Sequence, residues 1–428
     1  MTDTILGFVR RLIPARVFSF LQPKYHFVLS FLAALVYRFP STRIKVVAVT
    51  GTKGKSSTTE IANAILEEAG FKTALSNTIR FKVGEKSWRN LHKMSMPGRF
   101  SMQKLLRQAV KAGCAYMVVE MTSQGALLHR HKFIDIDTLI FTNLSPEHIE
   151  AHGSYENYVA SKVSIARGMA GSYKETTIIA NADEPESHRF LECEAGRKIS
   201  YSIHDVEPYT VKSAGLEFTL GGKRMMSPLS GLFNLYNILA ASTFAKSENI
   251  SDEIIMKAVS AFAHIPGRVE EVDAGQDFIV IVDYAHTPDS LEKLYKVFRP
   301  DPTRSRMGER KLIAVLGGTG GGRDAWKRGR MGELADTYCD SVILTNEDPY
   351  DEDPRKIVED VAKGVKLKQL TIIMDRREAI REAVRTARKG DVILITGKGT
   401  DPYIMGPRGS KIPWSDAEIA REEIIKLP

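Results

Sequence analysis

Val46-Val47-Ala48-Val49 run into Thr50-Gly51-Thr52-Lys53-Gly54-Lys55-Ser56-Ser57, so an apolar, β-branched stretch stops at a glycine-rich turn. Helical spacing follows, with Ile61, Ala62, Ile65, Leu66 and Ala69 on one face. Strand, glycine-rich turn and helix in this order is the context that a phosphate-binding loop requires. Glycines let backbone N–H groups approach phosphate oxygens, and a helix N-terminus favours an anion. Gly51, Thr52, Lys53, Gly54, Lys55, Ser56 and Ser57 are the expected ATP contacts. Lys55 would reach the terminal phosphates, and the Ser56 hydroxyl would hold Mg²⁺. The strict pattern has glycine where Val49 stands, and the competing reading is a surface turn that carries a lysine by chance.

From Ile44 onward, strand and helix patterns alternate, which predicts an α/β fold with mostly parallel sheets. The expected strands are Val46–Val49, Tyr116–Val119, Thr138–Phe141 and Thr177–Ala180, with β-like segments near 198–201 and 216–220. His264-Ile265-Pro266-Gly267-Arg268 punctuates the chain. A second alternation starts behind it, with strands expected at 278–282, 311–316, 341–344, 370–373 and 391–395. The expected organisation is an apolar and basic helical segment (1–43), an ATP-binding domain (44–265) and a Rossmann-like α/β domain (266–428).

The 428 residues carry a formal net charge of +8. That balance suits acidic partners, yet no basic stripe interleaved with aromatics is present, so no nucleic acid is expected. Cys114, Cys193 and Cys339 lie far apart and form no CxxC pair, which disfavours a zinc ribbon or disulfide framework and fits a cytoplasmic setting. In residues 5–37 the apolar run Phe27–Tyr37 is shorter than the roughly 18 residues of a membrane span, and no cleavage pattern precedes Pro40. Two readings stay open: helices packed on the next domain, or an amphipathic anchor at the inner face of a membrane.

Polar residues recur at expected strand ends, where open α/β sheets bind ligands. Glu120 follows Met117-Val118-Val119 and is a candidate Mg²⁺ ligand or a capping carboxylate. His148 closes Asn143-Leu144-Ser145-Pro146-Glu147-His148 and would be a further ligand or a structural histidine. Lys162 falls in the apolar stripe 155, 158/159, 162, 165/166, 169. A lysine facing inward loses proton affinity by desolvation, and a neutral amine can add CO₂ to give an anionic carbamate able to ligate Mg²⁺. The alternative is a lysine whose stem snorkels along a broad face. Asp283–Pro288, Gly317–Asp324 and Gly397-Lys398-Gly399 form three more strand-end loops.

In this order the pieces resemble the Mur ligase family of ATP-dependent amide-forming ligases, over nearly the whole chain from Ile44. The carriers are Gly51–Ser56, Glu120-Met121-Thr122-Ser123, Asn143 to His148 with His152-Gly153, Phe233-Asn234 with Asn237, Pro266-Gly267-Arg268 with Glu270, and Asp283-Tyr284-Ala285-His286-Thr287-Pro288. The resemblance implies ATP and Mg²⁺ as cofactors and a carbamylated Lys162. It implies Lys55, Lys162, His148 and Glu120 as catalytic residues, and Ser56, Glu120, His148 and Lys162 around metal. Asn237, Arg268, Asp283 and His286 would bind ATP. Ser95, Ser123, Arg130, Arg323, Asp348, Gly397 and Asp401 would bind substrate, a muramoyl peptide and an amino acid. The branch it points to adds the third stem-peptide residue, a diamino acid, in cell-wall precursor synthesis, and a monomer is expected. Glu347-Asp348-Pro349-Tyr350 departs from the Asp-Asn-Pro-Arg of diaminopimelate enzymes, Thr400-Asp401 from His-Glu, and Gln124 from His. The alternatives are a lipid-linked muramoyl acceptor, a folylpolyglutamate- or cyanophycin-type ligase, or an inactive ATP-binding scaffold at a membrane.

Overall fold

The computed structural model describes residues 15–147, 149–299, 310–322, 325–366 and 369–427. They form two compact units that interleave along the chain. The first comprises residues up to 147, 152–203 and 239–255. The second comprises 148–151, 204–238 and 256 onward.

The first unit is built on an eight-stranded sheet, β1 (Lys45–Thr50), β2 (Thr73–Ser76), β3 (Arg80–Val83), β4 (Lys86–Arg89), β5 (Tyr116–Glu120), β6 (Thr138–Phe141), β7 (Thr177–Asn181) and β8 (Arg197–Tyr201). Their order is β4-β3-β2-β5-β1-β6-β7-β8, parallel from β2 to β8 and antiparallel at the β2-β3-β4 edge. β1 is central because it is apolar on both faces: every residue from Val46 to Thr50 is buried. Register sets Val49 opposite Glu120 and Thr50 opposite Phe141. The phosphate loop, Glu120 and the loop after β6 therefore leave the sheet side by side.

Among the described residues the amino-terminal segment holds the helix Ala15–Val36, with Pro23 inside it, and a short 3₁₀ turn at Pro40–Arg43. Ser30, Ala33 and Ala34 are buried, while Phe27 and Phe31 lie edge-on to Phe133. The packed-helix expectation thus describes one face. The other face leaves Leu21, Val28, Leu32, Leu35 and Val36 exposed. No described helix is long and apolar enough to cross a membrane.

The second unit holds a six-stranded sheet, β12 (Glu270–Glu271), β13 (Ile279–Asp283), β14 (Leu312–Leu316), β15 (Ser341–Leu344), β16 (Gln369–Ile372) and β17 (Val392–Thr396). The order is β12-β13-β17-β14-β15-β16, parallel except at β12. A separate antiparallel sheet joins β9 (Thr210–Lys212), β10 (Gly215–Leu220) and β11 (Lys223–Ser227). Buried apolar residues fill both faces of the six-stranded sheet, Leu312 and Leu394 on one and Val280 and Ile393 on the other.

Candidate active site

The phosphate loop opens at Gly51 (φ 148°) and closes at Gly54 (φ 81°), which precedes the helix Lys55–Glu68. A Cβ on Gly51 would lie 2.0 Å from Thr142 Oγ1, so only glycine fits there. The loop is pinned from the β6 side. Thr52 N–H donates to Asn143 O (2.8 Å) and Lys53 N–H to Asn143 Oδ1 (2.9 Å). Asn143 Nδ2 and Thr142 Oγ1 both donate to Lys53 O, at 3.1 and 2.8 Å. The Thr52 and Tyr158 hydroxyls share a bond of 2.8 Å, and Lys53 pairs with Glu147 at 3.1 Å.

Lys162 projects from the helix Tyr155–Arg167 and is 2% exposed. Its Nζ donates to Gly51 O at 2.5 Å and sits 4.9 Å from the Tyr158 ring centroid. Burial first, and then the nearby Lys55 cation, hold its pKa well below the usual lysine value. The stripe reading thus locates a desolvated amine directly against the phosphate loop.

Ser56 and Glu120 meet as the strand ends predict: Ser56 Oγ donates to Glu120 Oε2 at 2.9 Å. The same oxygen accepts from Thr78 N–H (3.0 Å) and Thr78 Oγ1 (2.9 Å). Thr78 Oγ1 also lies 2.6 Å from Ser95 Oγ, which joins Ser95 to the cluster. Thr78 was missed because it sits on a β2–β3 turn with no motif around it. Lys55 Nζ donates to Thr52 O at 2.8 Å and lies 3.8 Å from Glu120 Oε1.

A hydroxyl and a carboxylate are hard oxygen donors of the kind Mg²⁺ takes, and Mg²⁺ completes its shell with phosphate and water rather than an all-protein cage. Among the described residues no three His, Cys, Asp or Glu side chains gather for a metal. Ser57 is buried in the first turn of the helix. His148 lies outside the described residues, as do Arg323 and Asp324.

Ser123 Oγ bonds His152 Nε2 at 3.1 Å, and its carbonyl accepts from Ser161 Oγ at 2.8 Å. Arg130 Nη1 donates to Met96 O at 2.7 Å, one residue from Ser95.

The remaining predicted residues lie in the second unit. Asn237 Nδ2 donates to Asn234 Oδ1 at 3.1 Å. The Arg268 guanidinium carbon lies 4.4 Å from the Tyr284 ring centroid. Asp283 accepts from Val269 N–H (2.8 Å) and Ala285 N–H (2.6 Å). Burial raises its pKa against the pull of Arg268 and those bonds. His286 Nδ1 sits 2.8 Å from Tyr284 O.

Asp348 and Asp401 are bound by Lys398, whose fully buried Nζ contacts Asp348 Oδ1 (2.8 Å), Asp401 Oδ2 (3.4 Å) and Tyr403 O (2.6 Å). Both carboxylates therefore have a structural partner. The neighbouring Glu347 does not fully: Thr319 Oγ1 donates to Oε1 at 2.8 Å, while the buried Oε2 has no bond. A Cβ on Gly397 (φ 103°) would fall 2.2 Å from that oxygen, so Gly397 leaves the room that Glu347 occupies.

The description "Mur ligase middle domain" matches residues 49–245, and "Mur ligase, glutamate ligase domain" matches residues 267–399. The chain belongs to the Mur ligase family, whose members are ATP-dependent amide-forming ligases. A relative in Syntrophomonas wolfei, named UDP-N-acetylmuramoyl-L-alanyl-D-glutamate--2,6-diaminopimelate ligase, is 38% identical over 406 residues, covering 92% of this chain and 81% of its own. A UDP-N-acetylmuramyl-tripeptide synthetase of Roseiflexus sp. is 36% identical over 431 residues, covering 95% and 83%. A solved diaminopimelate ligase superposes with a TM-score of 0.60 at 26% identity, covering 89% of this chain and 78% of that one. Folylpolyglutamate synthase of Mycobacterium tuberculosis gives a TM-score of 0.68 at 16% identity over 92% and 94%, a likeness of fold alone.

Proposed function

We propose that the chain joins an amino acid, a diamino acid by preference, to the terminal carboxylate of UDP-N-acetylmuramoyl-L-alanyl-D-glutamate at the expense of ATP. The observation that carries this reading is Lys162, a desolvated amine held 2.5 Å from the Gly51 carbonyl of the phosphate loop. A desolvated amine there is open to CO₂ and so to conversion into an anion beside the transferred phosphate, which suits a ligase that must neutralise and position that phosphate through metal. The names of the relatives supply the substrates.

The acceptor carboxylate attacks the γ-phosphorus, the bond to the β-phosphate oxygen breaks, and an acyl phosphate and ADP form. The amine then attacks the acyl carbon, phosphate departs with the electron pair, and the amine proton is lost. Lys55 exchanges its bond to Thr52 O for phosphate oxygens and offsets charge developing on them. Ser56 and Glu120 would hold Mg²⁺, which supplies charge neutralisation at the transferred phosphate. Lys162 in carbamate form would present a carboxylate-like anion from the same spot, within the field of the Lys55 and Lys53 cations; His148 would be its companion ligand. Thr78 and Ser95 orient Glu120.

Asn237, Arg268, Asp283 and His286 are assigned to nucleotide binding, and Ser123, Arg130, Arg323, Asp348, Gly397 and Asp401 to substrate, with Glu347 added to that set. Residues 1–43, 44–265 and 266–428 remain the proposed divisions, and a monomer the proposed state. The exposed apolar face of Ala15–Val36 supports peripheral contact with the inner face of a membrane. Sedimentation with anionic vesicles, retained by the full chain and lost in Leu32→Asp/Leu35→Asp, tests that contact.

ADP release tests the assignment. The UDP-linked muramoyl dipeptide is offered with diaminopimelate, lysine, ornithine and other amines. Turnover with a diamino acid is expected, and its absence with every amine refutes the acceptor.

A further inference from the structure

The loop after β6 lies along the phosphate loop, and bonds of two kinds join them. At the near end backbone donors suffice: Thr52 N–H donates to Asn143 O at 2.8 Å, and Ser145 N–H to Thr52 Oγ1 at 3.0 Å. Pro146 comes next and has no N–H to offer. Beyond it the join passes to side chains, where Lys53 Nζ donates to Glu147 Oε1 at 3.1 Å. Glu147 is also where this stretch of the first unit ends.

Lys53 turns all of its polar groups toward that segment. Its N–H donates to Asn143 Oδ1, its carbonyl accepts from Asn143 Nδ2 and Thr142 Oγ1, and its ammonium meets Glu147. Lys55 differs, since its Nζ donates to Thr52 O within the phosphate loop itself. An ion pair on open surface contributes little. Here the two side chains are 27% and 8% exposed, so removing one partner weakens the compensation of a charge largely kept from water. A glycine-rich loop has many conformations open to it, and a ligand that must order such a loop binds less tightly than one that finds it ordered.

We propose that Lys53 and Glu147 are a positioning pair for nucleotide binding. The Lys53 side chain acts as a strut and makes no bond to phosphate. It holds the phosphate loop in register with residues 143–147, so that ATP meets a loop already in its binding shape. Lys55 is then the lysine of this loop that serves phosphate. The proposal rests on the use of ATP by the family and is independent of which acceptor and amine are joined.

Calorimetry with the non-hydrolysable β,γ-imido analogue of ATP, with Mg²⁺ and with neither acceptor nor amine, tests the pair. Lys53→Met and Glu147→Gln should each weaken binding about tenfold, the loss of one charge-assisted hydrogen bond. The double variant should be no weaker than either single one, because both changes remove the same bond. Lys53→Glu/Glu147→Lys restores the pair in reverse and should recover most of the affinity. A lysine bonded directly to phosphate behaves otherwise. Glu147→Gln would then free it and tighten binding, and the reversed pair, with a carboxylate set against phosphate, would bind weakest of all. Either of those results overturns the proposal, as do additive losses in the double variant. Urea unfolding verifies that each variant is folded, and where Lys53→Met is not, Glu147→Gln decides by the direction of its effect. A wrong acceptor leaves these titrations unchanged and shows only in the ADP-release assay.

Discussion

Replacing Lys162 with methionine should produce stability curves that cross as pH changes. Methionine keeps the length and volume of the stem, removes the amine and leaves the Gly51 carbonyl without its 2.5 Å donor. A buried carbonyl without a partner costs about 1–3 kcal/mol. Against this stands the cost of desolvating the amine, whose native pKa lies well below the 10.5 of the unfolded chain. In the window between those two values the unfolded state binds one proton more than the native state. Wild-type stability therefore rises with pH there, by about 1.4 kcal/mol per unit, and the gain is complete above the unfolded value. Near pH 7 the methionine variant should match or exceed the wild type. Approaching pH 10 it should become the weaker of the two, the full cost of the orphaned carbonyl appearing only above the unfolded value. Urea unfolding at pH 7, 8, 9 and 10 in bicarbonate-free buffer measures the difference. Parallel curves refute the claim that a neutral amine is buried in the fold. Adding bicarbonate at pH 8 then tests the carbamate: native-only addition of CO₂ stabilises the wild type by mass action and leaves the variant unchanged.

Arg376 and Asp416 form a buried pair, with bonds of 2.8 and 2.7 Å and a third from Arg376 to Thr396 O at 2.7 Å. Arg376→Met strands the carboxylate and should cost about 3–5 kcal/mol in chemical denaturation. Glu347→Gln keeps the bond from Thr319 but discharges the free Oε2, so KM for a diamino acid should rise about tenfold with kcat little changed; a larger effect on kcat than on KM would contradict it. Gly51→Ala forces a clash at 2.0 Å with Thr142 Oγ1 and a backbone that alanine resists. Thermal and urea unfolding should report a loss of about 2–5 kcal/mol, together with lost ATP binding by fluorescence titration.

Much of the first unit's chemistry was legible because it sits where periodicity changes. The run Val46–Val49 ends at the loop, Glu120 ends β5, and Lys162 interrupts an apolar stripe; all three follow from spacing. What stayed hidden depends on residues far apart in sequence. Nothing near Thr78 announces that its N–H and hydroxyl both bond Glu120. Nothing near Asp348 and Asp401 announces that Lys398 lies between them. The division into units is also illegible locally, since residues 204–238 join the second unit through packing alone. Strand boundaries differ by a residue from the expected ones, as at Ile279–Asp283 and Val392–Thr396, because polar terminal residues still make ladder bonds.

The carbonyls of the phosphate loop have a consequence for selectivity. Gly51 O is taken by Lys162, Thr52 O by Lys55, Lys53 O by Thr142 and Asn143, and Gly54 O by the Thr58 N–H. Four successive electron-rich groups are thereby occupied from within the unit, and the loop's polarity is sorted, with its acceptors spoken for. An arriving anion meets little lone-pair repulsion, whereas a cation arriving alone finds few oxygens to claim. The Lys55 bond to Thr52 O is the one of these four whose donor the phosphate itself would claim, so nucleotide entry would release Thr52 O.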